Sequence, residues 1–151
     1  MFEEKLKQMG VSIPEVVKPL AAYIPATQVG NLVMTSGQVP ISEGKVKYQG
    51  KVGKDLTEEE GMNAAKLCAL NCLSAIKSVT GNLDKIKRVV KLTVFVSSAE
   101  GFTAQPKVAN GASEFIGEIF GEAGKHVRSA VGVSELPLDS AVEIEMIVEI
   151  N

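Results

Sequence analysis

The chain contains two arginines, and one of them, Arg128, sits within a run of small and apolar residues that predicts a strand. An arginine in such a run predicts a half-buried guanidinium that requires an anion. A guanidinium offers a planar fork of N–H donors that matches a carboxylate in a bidentate way. Arg128 is therefore the leading candidate to bind a ligand carboxylate. A second interpretation stays equally open, which is a structural salt bridge to Glu143 or Glu145 on the neighbouring strand.

Carboxylates recur along the last predicted strand, where Glu143 and Glu145 alternate and so share one face. A carboxylate held there can place a water molecule or carry a proton. For Glu145 and Glu149 we expect the simpler alternative, a solvated surface charge.

A few polar positions could add to a site. Ser36 and Gly37 end a predicted strand, and a glycine there lets its backbone amide approach a ligand closely. Most Ser-Gly pairs are only turns, and no base adjoins Ser36, which excludes a serine hydrolase. Tyr23 either supplies a phenol to such a site or only packs against neighbouring side chains. Asn110, early in a predicted helix, caps that helix or points its amide at a cleft.

Several kinds of site are excluded. The sequence has no glycine-rich phosphate loop, no metal-ligand cluster and no Cys/His dyad. Cys68 and Cys72 lie four apart in a helical pattern, which indicates buried free thiols in a reducing cytosol. The sole histidine, His126, is far from them in sequence and receives no role. The sequence therefore predicts a small-molecule site without metal or cofactor.

Length and composition indicate one domain over residues 1–151, with residues 1–20 as an N-terminal arm. The net charge of −2 and the aromatic content of 5% argue against a nucleic-acid surface. The acidic N-terminus does not resemble a secretory signal, and no apolar run reaches the length of a membrane span. We expect a cytoplasmic protein with neither nucleic acid nor membrane as a partner.

Two long helices are predicted by their capping signals and apolar spacing. Thr57 and Glu60 form a capping box that opens the first, over residues 57–79, and Gly81 ends it. The second begins near Pro106 and covers residues 106–120. A short helix is expected in the first few residues. The predicted strands are residues 21–30, 32–36, 45–49, 89–96, 127–133 and 141–150.

This order predicts an α+β fold in which two helices cover one face of the sheet. Alternation groups Arg128 with Ala130 and Gly132, and we place that group on the uncovered face, with Glu143 and Glu145. Such a face is only half apolar. It predicts association with other copies of the chain and clefts between them.

Four segments together resemble the Rid family of reactive intermediate deaminases, also called the YjgF family. They are residues 30–40, residues 94–96, residues 128–129 with 136–137, and residues 142–145. The resemblance covers residues 23–150. It implies a chorismate-mutase-like mixed β-sheet with two helices on one face, and a homotrimer whose sheets form a barrel with clefts between subunits.

The resemblance also implies an activity, which is hydrolysis of 2-aminoacrylate and related enamine or imine intermediates to 2-keto acids and ammonia, without a cofactor. It implies that Arg128 binds the substrate carboxylate and that Glu143 places the attacking water. The implied substrate-binding residues are Tyr23, Ser36, the Gly37 amide, Asn110 and Arg128. The sequence differs from the family pattern at Ala130, where the deaminases nearest the founding member carry a cysteine.

Other functions remain as alternatives. The family is often described as RNA-cleaving or translation-inhibiting, which the negative charge and the scarce aromatics argue against. A non-catalytic trimer that binds a metabolite, or a chaperone-like protein, would use the same arginine. A chorismate mutase would need more cationic groups for its dicarboxylate than two arginines supply.

Overall fold

A five-stranded sheet with helices on one face forms the body of the computed structural model, which describes residues 1–19 and 22–151. The helices are α1 (Phe2–Gln8), α2 (Glu58–Thr80) and α3 (Gln105–Phe120). The strands are β1 (Ala26–Val29), β2 (Leu32–Thr35), β3 (Ile41–Ser42), β4 (Lys45–Val46), β5 (Ile86–Ser97), β6 (Val127–Val133) and β7 (Val142–Ile150). The order across the sheet is β1-β2-β7-β5-β6, and β3 and β4 form a separate hairpin.

The sheet is mixed because β6 runs parallel to β5, whereas the other neighbouring strands are antiparallel. Helix α3 makes the crossover that a parallel pair requires. The predicted α+β class is confirmed, and the two predicted long helices are α2 and α3. The short N-terminal helix, α1, is a third helix in the helical layer.

Helix α2 forms where its capping box predicts. The Thr57 side chain accepts a hydrogen bond from the Glu60 amide, and the Glu60 side chain accepts one from the Thr57 amide. Both amides lie at the start of the helix, where no helical carbonyl is available to accept from them. Gly81 ends the helix with a φ of 78°, a left-handed conformation that glycine adopts without steric cost. The predicted apolar face of α2 is buried against the sheet, including Cys68 and Cys72.

Helix α1 fastens the N-terminal arm to the other helices. The Phe2 ring packs edge-on against Phe120 with 4.6 Å between centroids. Lys77 Nζ lies 2.8 Å from Glu3 Oε1. Leu20 and Ala21, which end the predicted arm and begin the predicted strand 21–30, lie outside the described residues.

Some predicted strands differ in extent. The predicted strand 45–49 is shorter, and its partner in the hairpin is Ile41–Ser42, which the sequence analysis did not assign. Over residues 1–19 and 22–151, no helix combines the length and apolar composition needed to cross a membrane.

The sheet face away from the helices carries apolar side chains in contact with solvent. Val127 is 65% exposed and Val131 is 43% exposed, and both belong to β6, the strand at the edge of the sheet. The buried residues of β7, from Val142 to Ile150, alternate toward the helices as predicted. The second face is therefore unlike an ordinary polar surface.

Candidate functional site

Arg128 points to the helical side of the sheet, not to the open face. In the parallel register of β5 and β6 it pairs with Leu92, which is fully buried beneath the helices. Paired residues of adjacent strands project to the same face. The predicted placement of Arg128 beside Glu143 and Glu145 is therefore wrong. The alternation was correct, but the Val127 and Val131 side of β6 is the one that faces solvent.

Helix α3 holds the Arg128 guanidinium. Arg128 Nη1 donates to Asn110 Oδ1 at 2.8 Å and to Ser113 Oγ at 3.0 Å. Asn110 and Ser113 are three positions apart, so they project from the same side of the helix. Arg128 Nη2 donates to the Pro106 carbonyl at 3.2 Å. Asn110, which was expected to cap its helix or to point its amide at a cleft, accepts this hydrogen bond from Arg128.

These contacts leave one edge of the guanidinium free. An arginine has five N–H donors. Within the described part of the chain, nothing accepts from Nε–H or from the second N–H of Nη2. Nε and Nη2 share one edge of the guanidinium, and their spacing suits the two oxygens of a carboxylate. Arg128 is half-buried, so this edge remains open to a ligand.

Glu143 lies in a different place, at a cavity of about 310 Å³. Tyr23, Gly37 and Leu138 also line this cavity, together with residues 17–19 of the N-terminal arm. Burial raises the pKa of the Glu143 carboxyl, and the nearby charge of Glu145 raises it further. A carboxyl in that condition exchanges protons nearer to neutral pH than an exposed one does.

Gly37 makes room for the Glu143 side chain. A Cβ on Gly37 would lie 2.9 Å from Glu143 Cδ, a distance that ordinary packing does not allow. The carboxyl group thus rests directly against the Gly37 backbone. Three of the predicted site residues, Tyr23, Gly37 and Glu143, thus line one cavity.

Ser36 has a structural contact. Its hydroxyl donates to the Ile24 carbonyl at 2.6 Å, and its amide donates to the Pro25 carbonyl at 2.7 Å. These bonds fix the segment that carries Tyr23 next to the end of β2. Among the described residues, the cavity lining includes Gly37 and Gln38 but not Ser36.

The candidate residues therefore form two separate groups, one around Arg128 and one around Glu143. One copy of the chain does not bring the two groups together. Arg128 is in β6 and Glu143 is in β7, and β5 lies between these strands. The alternative of a salt bridge from Arg128 to Glu143 or Glu145 is wrong, because β6 and β7 are not neighbours and the side chains face opposite ways. That strand order is set by long-range pairing, which alternation along one strand does not reveal.

Two further side chains touch this arrangement, and neither was predicted from the sequence. Ser113 Oγ lies 2.9 Å from His126 Nε2, and His126 Nδ1 lies 2.6 Å from the Gly124 carbonyl oxygen. Helical spacing from Asn110 was the available signal for Ser113. For His126 the signal was its position two residues before Arg128, which puts both side chains on one side of an extended segment.

The two cysteines pack behind the strand that carries Glu143. Cys68 Sγ donates to the Val142 carbonyl at 3.4 Å, and Cys72 Sγ donates to the Ile144 carbonyl at 3.3 Å. Both are free and buried, as predicted. Burial raises the pKa of Cys72 to about 12, so the thiol stays protonated at neutral pH. In the described ranges, no cluster of three or more potential ligands is placed to hold a metal ion.

Comparison with known proteins places this geometry in a family. The family described as "YjgF/chorismate_mutase-like, putative endoribonuclease" matches residues 3–150. Protein TCP17 of Trypanosoma cruzi is 43% identical over 97% of this chain and 92% of its own. The 2-iminobutanoate/2-iminopropanoate deaminase of Dermatophagoides farinae is 31% identical over 93% of this chain and 95% of its own.

A solved structure agrees over nearly every residue. The crystal structure of a "putative endoribonuclease" from Shewanella oneidensis MR-1 has a TM-score of 0.95 and 37% identity, and the match covers 99% of both chains. Since the family match and these relatives extend over almost the whole chain, the protein belongs to the YjgF/chorismate mutase-like family, the Rid family.

Proposed function

We propose that this protein hydrolyses 2-aminoacrylate-type enamines and their imine tautomers to 2-keto acids and ammonia, without a cofactor. The observation that carries the proposal is the free edge of the Arg128 guanidinium, held in place by Asn110, Ser113 and the Pro106 carbonyl. That edge fits the carboxylate which every such imino acid carries. In support, a relative that is 31% identical is named a 2-iminobutanoate/2-iminopropanoate deaminase.

The reaction requires the protein mainly to position the substrate carboxylate and a water molecule. An enamine takes up a proton at its terminal carbon and loses one from nitrogen, which gives the imine. Water then adds across the C=N bond, its oxygen joining C2 and one of its protons passing to nitrogen. The hydroxyl proton moves to nitrogen, the C–N bond breaks, ammonia leaves, and the carbonyl of the keto acid forms. Arg128 fixes the carboxylate while Glu143, with its raised pKa, holds the water and relays a proton.

The site in this proposal lies between two copies of the chain. One copy supplies Arg128 and Asn110, and its neighbour supplies Tyr23, Gly37 and Glu143. The exposed valines of β6 and the unpaired edge of that strand support association on this side of the sheet. A homotrimer closes such a head-to-tail contact into a ring.

A coupled assay tests the activity. A pyridoxal-phosphate dehydratase generates 2-aminoacrylate from serine, and pyruvate release is followed with and without this protein. We expect acceleration by the wild type and its loss in Arg128→Ala. Arg88→Ala is the matched control, because the only other arginine forms an exposed ion pair with Glu149 at 2.8 Å. We expect Arg88→Ala to keep full activity.

The outcomes separate the alternatives. No acceleration by the wild type, across several amino-acid precursors, would reject the deaminase in favour of a metabolite-binding protein. Equal loss of activity in both arginine variants would show that Arg128 has no specific role in the reaction.

A second candidate function comes from the family description, which includes the word endoribonuclease. A net charge of −2 gives little attraction for an RNA backbone. Incubation of end-labelled RNA with wild type and Arg128→Ala tests it. Cleavage by the wild type alone would favour this second function over the first.

A further inference from the structure

The guanidinium of Arg128 is connected through two side chains to Gly124, in the turn that follows helix α3. Arg128 Nη1 donates to Ser113 Oγ at 3.0 Å, and Ser113 Oγ is 2.9 Å from His126 Nε2. His126 Nδ1 is 2.6 Å from the Gly124 carbonyl oxygen, which can only accept. In a neutral imidazole Nδ1 therefore carries the proton and Nε2 accepts from the Ser113 hydroxyl.

All donors in this series point the same way, from Arg128 through Ser113 and His126 to the Gly124 carbonyl. Hydrogen bonds aligned in series polarise one another and strengthen the set. The last member is firmly placed, because Gly124 is buried and a Cβ there would lie 2.8 Å from the Ile116 carbonyl oxygen. The body of α3 thus sets the position of the guanidinium.

An arginine side chain left free would have to be ordered at the moment a ligand binds. That ordering lowers affinity, and a side chain already held in place avoids it. Asn110 and the Pro106 carbonyl fix parts of the guanidinium, and Ser113 also links it to a further side chain, that of His126. Ser113, His126 and Arg128 are all half-buried, so water competes less for these hydrogen bonds.

We propose that Ser113 and His126 are positioning residues, which hold Arg128 so that its Nε and Nη2 edge meets the carboxylate of the imino acid. This inference rests on the proposed function for the identity of that ligand. Neither residue touches the reacting atoms. Their effect falls on carboxylate binding, with little effect on the hydrolysis that follows.

The kinetic test uses full-length variants in the coupled assay. Removing the Ser113 hydroxyl leaves Arg128 less ordered, so we expect Ser113→Ala to raise KM on the order of 10-fold, as for loss of a hydrogen bond to a charged group. Its kcat should stay close to that of the wild type. Ser113→Thr restores the hydroxyl and should restore KM. His126→Phe should resemble Ser113→Ala.

Ser78→Ala is the matched control, since the exposed Ser78 hydroxyl bonds only the Ala75 carbonyl of its own helix. It should leave KM and kcat as in the wild type. Thermal unfolding of every variant confirms that the fold persists.

The sole histidine gives a second readout, because an imidazole spectrum of this protein has one set of ¹⁵N signals. We expect the Nδ1-protonated tautomer in the ligand-free protein. Titration with 2-oxobutanoate should shift the Nε2 signal in the wild type and leave it unchanged in Ser113→Ala.

The results distinguish the two proposals. An active wild type with unaltered KM in Ser113→Ala and His126→Phe overturns the positioning role and leaves the deaminase intact. A wild type that binds 2-oxobutanoate without turnover overturns the deaminase, and weaker binding by Ser113→Ala then supports the positioning role. A wild type with neither turnover nor binding overturns both.

Discussion

Arg128 and Glu143 lie on opposite faces of one sheet, with strand β5 between the strands that carry them. The arginine faces α3, and the glutamate faces the side that the helices leave open. No rotation of either side chain brings both to one small substrate within a single copy. Any reaction that uses the pair must therefore take them from two different copies.

Mixed assemblies test this directly. We expect Arg128→Ala and Glu143→Gln to be inactive alone, because each lacks one half of every site. After the two variants are unfolded together and refolded in equal amounts, some sites combine an intact arginine with an intact glutamate. Random mixing gives about a quarter of the wild-type activity. The measurement is pyruvate release per subunit.

Refolding each variant separately is the control for this experiment and should leave both inactive. An activity near zero in the mixture would show that both residues act from the same subunit.

Gly37→Ala should disturb the site with little effect on the fold. The new Cβ would lie 2.9 Å from Glu143 Cδ, so the flexible carboxylate must move away from its present position. We expect kcat/KM to fall at least about 10-fold, as for a misplaced catalytic group. Steady-state kinetics and thermal unfolding measure the two effects.

Gly117→Ala on helix α3 is the matched substitution. A Cβ there meets nothing within 4 Å, and alanine favours a helix over glycine by about 0.5–1 kcal/mol. Activity should be unchanged and the melting temperature slightly raised. Equal activity losses in the two alanine variants would contradict the role given to Gly37.

Gly111→Ala should destabilise the contact between α2 and α3. A Cβ on Gly111 would collide with the Met62 carbonyl oxygen, and the helices must separate to accommodate it. The expected loss in the free energy of unfolding is about 1–3 kcal/mol, the range for an overpacked core. Urea denaturation measures it, with Gly117→Ala as the reference on the same helix. A free energy of unfolding as high as that of Gly117→Ala would show that the helices do not pack this closely.

Glu143 should make stability fall as the pH rises. Its folded pKa is raised by burial and then by Glu145, so the folded protein keeps a proton that the unfolded chain has released. The free energy of unfolding therefore decreases between the ordinary carboxyl pKa and the raised one. In Glu143→Gln this decrease is absent. At pH 7 the variant should be the more stable, by less than about 1 kcal/mol, because solvent still screens this half-buried carboxyl.

Thermal unfolding from pH 4 to 7 follows the difference, and Glu118→Gln, an exposed position of α3, serves as the control. The prediction would be contradicted if the free energy of unfolding of Glu143→Gln fell relative to that of the wild type as the pH rises.

Local signals predicted the helices well. The capping box of Thr57 and Glu60, the terminal Gly81 and the early Pro106 each depend on residues close in sequence. In each case the information lies within a few residues or within a motif.

The side of the sheet on which Arg128 lies could not be predicted from such local signals. One side of β6 carries valines and the other carries alanine and glycine, so hydrophobicity favours the wrong side as the interior. The correct side follows from the pairing with β5, which connects residues far apart in sequence. The valines on the other side are exposed in this single copy, and a single sequence does not mark an exposed apolar surface as different from a core.

The thiols of Cys68 and Cys72 bond the carbonyls on either side of Glu143 and are fully buried between α2 and β7. A thiol reagent reaches them only when the helix separates from the strand, and only after the thiol has lost its proton. The rate of modification in the native protein therefore measures how often this part of the fold opens. A ligand that steadies Glu143 from the far side of the sheet would slow that rate without touching either cysteine.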